Sequence, residues 1–159
     1  MKKIKIVLSI ILILGLITGC GCNKKEIDKE EKTNKELNIE MQKISIKESK
    51  IFEGLDILND NTLETQIGIN RNFVENHAIG ISMYGNAKEI YMIVKPKEEN
   101  KKIVKEALDL YIERTKENAN KEDKIRYENV LKQEYNGYYV YIVSEDNENI
   151  FNQIKEYLK

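Results

Sequence analysis

The sequence has few of the residue types from which most catalytic and metal sites are built. Its 159 residues include one histidine, two cysteines, one proline and no tryptophan. A zinc site needs several converging histidine, cysteine or carboxylate ligands, and one histidine with two neighbouring cysteines does not supply them. A glycine-rich phosphate-binding loop is missing as well. We therefore predict no metal, no cofactor and no catalytic residues.

An excess of charge of one sign is also missing. The chain has 26 basic and 27 acidic residues, and three of the basic ones precede the first apolar run. Beyond that run the balance is weakly acidic, whereas a surface that binds nucleic acid needs a basic patch or stripe. The sequence therefore argues against a nucleic-acid partner.

The one long apolar run lies at the N-terminus. The run is preceded by Lys2, Lys3 and Lys5, continues to Gly19 and is followed by Cys20. This order is typical of a secretory signal. Even as one helix, the segment 4–19 would be about 24 Å long, which is short of a hydrocarbon core of ~30 Å. We predict a signal peptide over 1–19, with an uncleaved signal anchor as the alternative.

The end of this run resembles a bacterial lipobox. Ile17, Thr18 and Gly19 lead directly into Cys20, and the resemblance implies that Cys20 becomes the acylated first residue of the mature protein. Two acyl chains hold a protein stably on a bilayer, whereas a single chain does so only marginally. The prediction is a lipoprotein attached through Cys20 to the extracytoplasmic face of the cell membrane.

A highly charged segment separates this anchor from the rest of the chain. Residues 21–36 contain ten charged side chains and only one large aliphatic residue, Ile27. Such a segment cannot bury enough apolar surface to offset its ordering entropy. We predict a lipidated cysteine and a disordered tether over 20–36, followed by a single domain over 37–159.

The predicted domain combines segments of strand period with segments of helical period. Alternation predicts strands over 77–84 and 89–95, and Asn136 with Gly137 predicts a tight hairpin turn before a strand over 138–144. Helical spacing predicts a short helix capped by Asn61 and a long helix over 98–119. It also predicts a helix capped by Asn120 with Asp123, and a closing helix over 147–158 capped by Asp146. The segment 37–49 fits either a helix or a strand, and we favour a helix.

These elements predict an α+β fold. A small antiparallel sheet of about three to four strands packs against a long helix and a C-terminal helix and is largely covered on one face. The predicted core positions of the long helix are Ile103, Val104, Ala107, Leu108, Tyr111, Ile112 and Thr115. Those of its successor are Ile125, Tyr127, Val130 and Leu131.

Several stretches of this domain carry a further resemblance. They are Ile67-Gly68-Ile69-Asn70, the segments 81–83 and 87–90, the long helix with Arg114, and the segments 137–140 and 143–144. Over most of 52–159 the chain resembles a bacterial lipoprotein family known as domain of unknown function 4358. The resemblance implies a secreted lipoprotein with no assigned activity, so it bears on location and fold and carries over no site residues.

Three groups of residues are candidates for chemistry, and each has a plainer interpretation. His77 and Ser82 could belong to a catalytic triad, but they occupy strand positions of opposite parity, so a structural histidine is favoured. The acidic segment 56–61 lacks the glycine and glutamate of a calcium loop and suits a solvated turn. Tyr139 and Tyr141 share one strand face and form a possible ligand surface, although packing within the sheet is favoured.

The sequence thus predicts a location more definitely than an activity. The leading interpretation is a non-enzymatic binding or interaction module of the cell envelope, whose partner is an envelope protein or a glycan. An envelope hydrolase that uses acidic residues and a purely structural envelope protein are the two alternatives.

Overall fold

Five antiparallel strands form one sheet in the chain. The structure is a computed structural model that describes residues 36, 37, 40, 55–57, 60–82 and 89–158, all of them within one compact unit, Thr33–Lys159. The strands are β1 Leu55–Ile57, β2 Val74–Ser82, β3 Ile90–Pro96, β4 Leu131–Tyr135 and β5 Tyr138–Val143, in the spatial order β1-β2-β3-β5-β4. The predicted α+β class is confirmed, with one strand more than the upper number expected.

In the continuous described range 89–158, three α-helices accompany the sheet. They are α1 Lys101–Glu117, α2 Lys121–Glu128 and α3 Asn147–Ile154. A short helical segment, Asp60–Thr62, continues as a π-helix over Leu63–Ile67 and precedes β2. The predicted long helix and C-terminal helix are therefore confirmed, with α1 preceded by a single 3-10 turn over Glu98–Asn100.

Helix α1 covers one face of the sheet. Val104, Leu108 and Ile112 are 0–1% exposed and recur at intervals of four residues, so they form one stripe along the helix. They pack in a cluster with side chains of two neighbouring strands. These side chains are Ile90, Met92 and Val94 of β3 and Tyr139, Tyr141 and Val143 of β5.

Helix α3 covers the opposite face. Ile150 and Ile154 are fully buried there, in a second cluster with Tyr91, Ile93, Val140 and Ile142. The prediction that the sheet is largely covered on one face is therefore wrong. The physical reason is visible in β3 and β5, where almost every position is apolar, because a strand buried on both faces needs apolar side chains on both.

Several helix caps and turns form as their sequences predict. Asn120 accepts a hydrogen bond from the backbone N–H of Asp123 at 2.9 Å, and Asp146 accepts one from the N–H of Asn149 at 3.3 Å. Asn136 and Gly137 have φ angles of 49° and 80°, as the turn between β4 and β5 requires.

Other predicted details are wrong. Asn61 lies inside the short helical segment rather than capping it. Ile103 and Ile125 are 50% and 56% exposed, so neither belongs to the core. Leu131 belongs to β4 rather than to α2, which ends at Glu128. The apolar spacing of these residues allowed a longer helix, but the hairpin with β5 takes the chain from Leu131 onward into the sheet.

Some predictions fall outside the described residues. They include the signal peptide 1–19, Cys20, the tether, the turn 85–87 and most of the segment 37–49. Among the helices that are described, none combines the length and the apolar character needed to cross a membrane.

A close approach between β2 and β3 yields the first testable prediction. Gly80 lies opposite Tyr91 in the register of the two strands, and a Cβ at Gly80 would overlap the fully buried Tyr91 ring. We expect Gly80→Ala to lower the free energy of unfolding by about 1–3 kcal/mol, as overpacking of a core does. Urea denaturation measures this.

The control for this prediction is the same substitution in a Tyr91→Leu background. Removal of the ring removes the overlap, so the cost of Gly80→Ala should fall there. An equal cost in both backgrounds would show that Tyr91 is not what requires glycine at this position.

Candidate functional site

The predicted tyrosine surface is buried. Tyr139 and Tyr141 are 7% and 2% exposed and belong to the core beneath α1. They do share one face of β5, as the alternation predicted, but that face is covered. The plainer interpretation, packing within the sheet, is therefore confirmed, and these rings are not available to stack on a ligand.

The hydroxyl of Tyr141 belongs to a polar cluster at the edge of this core. It donates to Oδ1 of Asp109 at 2.9 Å, and the Nζ atoms of Lys105 and Lys132 lie 2.7 and 2.8 Å from the same carboxylate. Burial alone would raise the pKa of Asp109, but these three donors outweigh it and hold the pKa at about 2. Asp109 thus joins α1 to both strands of the last hairpin, a structural role.

His77 also has a structural environment. It is 2% exposed, and its Nε2 lies 3.3 Å from Oδ1 of Asp60, which also pairs with Nε of Arg71 at 3.2 Å. Burial lowers the pKa of His77 to about 4, opposed by Asp60 and assisted by Arg71. The imidazole is therefore neutral near pH 7. The side chain of Ser82, its possible triad partner, lies outside the described residues.

The interpretation of the acidic segment 56–61 as a solvated turn is wrong for its described residues, because Asp56 lies in β1 and Asp60 and Asn61 lie in the short helical segment. Asp60 is engaged by His77 and Arg71 instead of facing solvent alone. Across the ranges that the structure describes, no group of three or more histidine, cysteine, aspartate or glutamate side chains is placed to hold a metal ion.

Glu89 is a buried acid that the sequence interpretation did not single out. It is fully buried, and its carboxyl group interacts with the Ser144 side chain and the Glu145 backbone without a well-formed hydrogen bond to either. Nη1 of Arg126 is 4.0 Å from Oε1, while Nη2 of the same residue pairs with Glu145 at 2.7 Å. Burial raises the pKa of Glu89 to about 7, although Arg126 opposes the shift.

A cleft of about 430 Å³ lies where α1 ends and α2 begins. Helix α1 contributes Tyr111, Arg114 and Thr115, the connection contributes residues 118–120, and α2 contributes Asp123 and Tyr127, with Gln66 at the margin. Its volume is within the range of about 300–1,000 Å³ that small-molecule sites occupy. We refer to it as the α1–α2 cleft.

The wall of the α1–α2 cleft contains a buried carboxylate. Asp123 is only 5% exposed. Within the described residues its side-chain oxygens take part in no hydrogen bond or ion pair, and its backbone N–H is the atom that bonds to Asn120. These oxygens are not among the fully enclosed polar atoms that lack a partner, so the carboxyl group is open to the cleft and available to a hydrogen-bond donor.

Arg114 supplies a charge of the opposite sign in the same cleft. Its side chain is exposed and forms no ion pair within the described part of the chain. Neighbouring cations are paired, since Lys116 lies 3.7 Å from Glu128 and Arg126 lies 2.7 Å from Glu145. Of the residues that the structure describes, Arg114 and Asp123 are the two charged ones that line the α1–α2 cleft.

A second, more open cleft of about 540 Å³ lies beside residues 129–133 and 145–148. Its charged side chains, Lys132, Glu145, Asp146 and Glu148, are all exposed. Because water solvates exposed charges without a ligand, this cleft lacks the feature that distinguishes the α1–α2 cleft.

Sequence reasoning found Asp123 only as part of a helix cap and Arg114 only as a point of family resemblance. The signal that could have found the site is a short connection between two helices, with a cation in the last turn of the first helix and an acid in the first turn of the second. That pattern is common on helices because it also suits their dipoles. The sequence alone therefore does not indicate a site, and the burial of Asp123 is the feature that does.

The burial of Glu89 leads to a prediction about how the stability of the protein depends on pH. Its pKa rises from 4.5 to about 7 on folding, so between these values the folded state binds more protons than the unfolded state. The free energy of unfolding should therefore fall as the pH rises through this interval. Glu89→Gln should remove this component and be more stable at pH 8 by up to about 3 kcal/mol.

The test measures the free energy of unfolding of the parent and of Glu89→Gln by denaturation at a series of pH values. The difference between the two proteins at each pH is the quantity to compare with the prediction. The matched control is Glu148→Gln, an exposed acid on α3, which should leave the pH profile unchanged. A profile of Glu89→Gln that parallels the parent at every pH would contradict the prediction.

Comparisons with family models, with curated proteins and with solved structures found no match for this chain. The resemblance to the bacterial lipoprotein family therefore stays a prediction, and the α1–α2 cleft is interpreted from its own geometry.

Proposed function

We propose that this chain is a lipoprotein of the cell envelope, anchored through Cys20, whose extracytoplasmic α+β domain binds a small polar molecule in the α1–α2 cleft. The anchoring part of the proposal rests on the basic start, the short apolar run and the small residues before Cys20. The binding part rests on the cleft.

One observation carries the binding function. Asp123 is 5% exposed, lines the cleft and has no side-chain hydrogen bond within the described residues. Its oxygens are not among the fully enclosed atoms that lack a partner, so they are open to the cleft. A ligand with a hydrogen-bond donor could therefore reach this carboxyl group without displacing a partner within the described residues.

The lining of the cleft suits a ligand of mixed polarity. Tyr111 and Tyr127 supply aromatic surface, and Thr115 and Asn118 supply polar groups beside them. Six of the nine described lining residues are polar or charged, so the cleft favours a polar ligand, whose orientation these groups would fix.

The hydrolase alternative has no comparable support. The carboxyls with the most strongly shifted pKa values are those of Glu89 and Asp109. Neither lines the α1–α2 cleft or the second cleft. Paired acids at one cleft are what glycoside hydrolysis needs, so we propose binding and not catalysis.

The anchor is tested in living bacteria with globomycin, which blocks cleavage of lipoprotein signals. We expect the uncleaved precursor to accumulate in treated cells and the untreated protein to carry lipid on Cys20 by mass spectrometry. Cys20→Ser should abolish the lipid, whereas Cys22→Ser should not. Normal processing in the presence of globomycin would refute the proposed anchor.

The binding function is tested with a variant that fills the cleft. Asn118 lines the cleft at the end of α1, and its exposed neighbour Glu117 does not. We expect a polar metabolite that raises the melting temperature of the parent to act equally on Glu117→Trp and to lose its effect on Asn118→Trp. At a concentration of about 100 times Kd the stabilisation lost is about 2.7 kcal/mol.

A panel of small polar metabolites, screened by thermal denaturation, supplies the ligand for this comparison. Retention of the temperature shift in Asn118→Trp would place binding elsewhere and would refute the α1–α2 cleft as the site.

A further inference from the structure

We infer that the ligand of the α1–α2 cleft is a small zwitterion, a molecule with one ammonium group and one carboxylate group. This inference rests on the proposed binding function and narrows it to a chemical class. It follows from the charges of the lining, their lack of partners and the polar groups around them.

The two charges of the lining are opposite in sign and lie on different helices. Arg114 belongs to α1, and Asp123 lies in the first turn of α2. A simple anion would pair with Arg114 but would share the cleft with a buried carboxylate. A simple cation would pair with Asp123 but would face the guanidinium. A ligand that carries both charges avoids both repulsions.

Each of the two groups also matches its partner in geometry. A guanidinium presents parallel N–H donors that fit a carboxylate in a bidentate manner. An ammonium has three donors and no acceptor, and a carboxylate has acceptors only. Because Asp123 is buried and Arg114 is exposed, the ammonium end of the ligand lies at the inner end of the cleft and the carboxylate end lies near solvent.

The tyrosines extend this match to the body of the ligand. Tyr127 is 2% exposed, and burial, together with nearby Tyr111 and Asp123, raises the pKa of its hydroxyl, which therefore stays protonated. An aromatic face close to the carboxylate favours an ammonium further through its negative quadrupole. The short carbon chain of a small zwitterion would contact the rings and Ala119.

The test compares zwitterions with molecules that carry one charge. The probes are L-alanine and 4-aminobutyrate, which differ in charge separation, together with butyrate and butylammonium. The full chain is solubilised in detergent, and binding is followed by the amide resonances of residues 111–127. We expect at least one zwitterion to bind about tenfold or more tightly than either singly charged probe, which corresponds to about 1.4 kcal/mol.

Variants assign each charge to its partner. Asp123→Asn and Arg114→Gln should each weaken binding of the zwitterion about tenfold or more. Lys116→Gln is the matched control, because Lys116 lies on α1 near the cleft but does not line it, and it should bind as the parent does. Arg114 is exposed, so its variant tests the inference even if Asp123→Asn fails to fold.

Three outcomes would overturn the inference. They are butyrate or butylammonium binding in the cleft as tightly as the zwitterions, no binding by either zwitterion, and zwitterion binding that neither variant weakens. In each case the proposed binding function remains open to its own test, since the metabolite panel with Asn118→Trp does not depend on the class of ligand.

Discussion

The burial of the central strands on both faces is the constraint on which the rest of the structure depends. β3 and β5 lie side by side in the middle of the sheet and are apolar at almost every position. One helix can cover only one face, so the chain needs α1 on one side and α3 on the other. This requirement also uses the aromatic residues of β5 as core, and it leaves neither face of β3 and β5 open to a ligand.

With both faces of β3 and β5 covered, the junction of two helices offers a ligand site instead, as the α1–α2 cleft does. The connection between α1 and α2 is short, so the end of one helix and the start of the next come close together. Helix ends carry unpaired backbone groups and polar side chains that satisfy them. Such a junction therefore brings together charges that a sheet surface of this composition could not hold.

Pattern reasoning predicted the fold class, the caps at Asn120 and Asp146 and the turn at Asn136 because each depends on a local rule. It failed where the outcome depended on contacts distant in sequence. Leu131 fits a helix by spacing, but pairing with Ile142 places it in a strand. The exposure of Tyr139 and Tyr141 could not be read from their alternation, since period two shows which residues share a face and not what covers it.

The buried polar groups differ in whether they have hydrogen-bond or ion-pair partners within the fold. His77 and Asp109 have partners, so their burial is explained by the fold. Glu89 has no well-formed hydrogen bond within the described residues, but it is fully enclosed, and protonation near pH 7 removes its charge. Asp123 also accepts no side-chain hydrogen bond in that part of the chain, but its oxygens are not enclosed, because it lies on the wall of a cleft. A carboxyl group that has no partner and is open to a cleft can accept hydrogen bonds from a ligand, and for that reason the proposed binding function centres on Asp123.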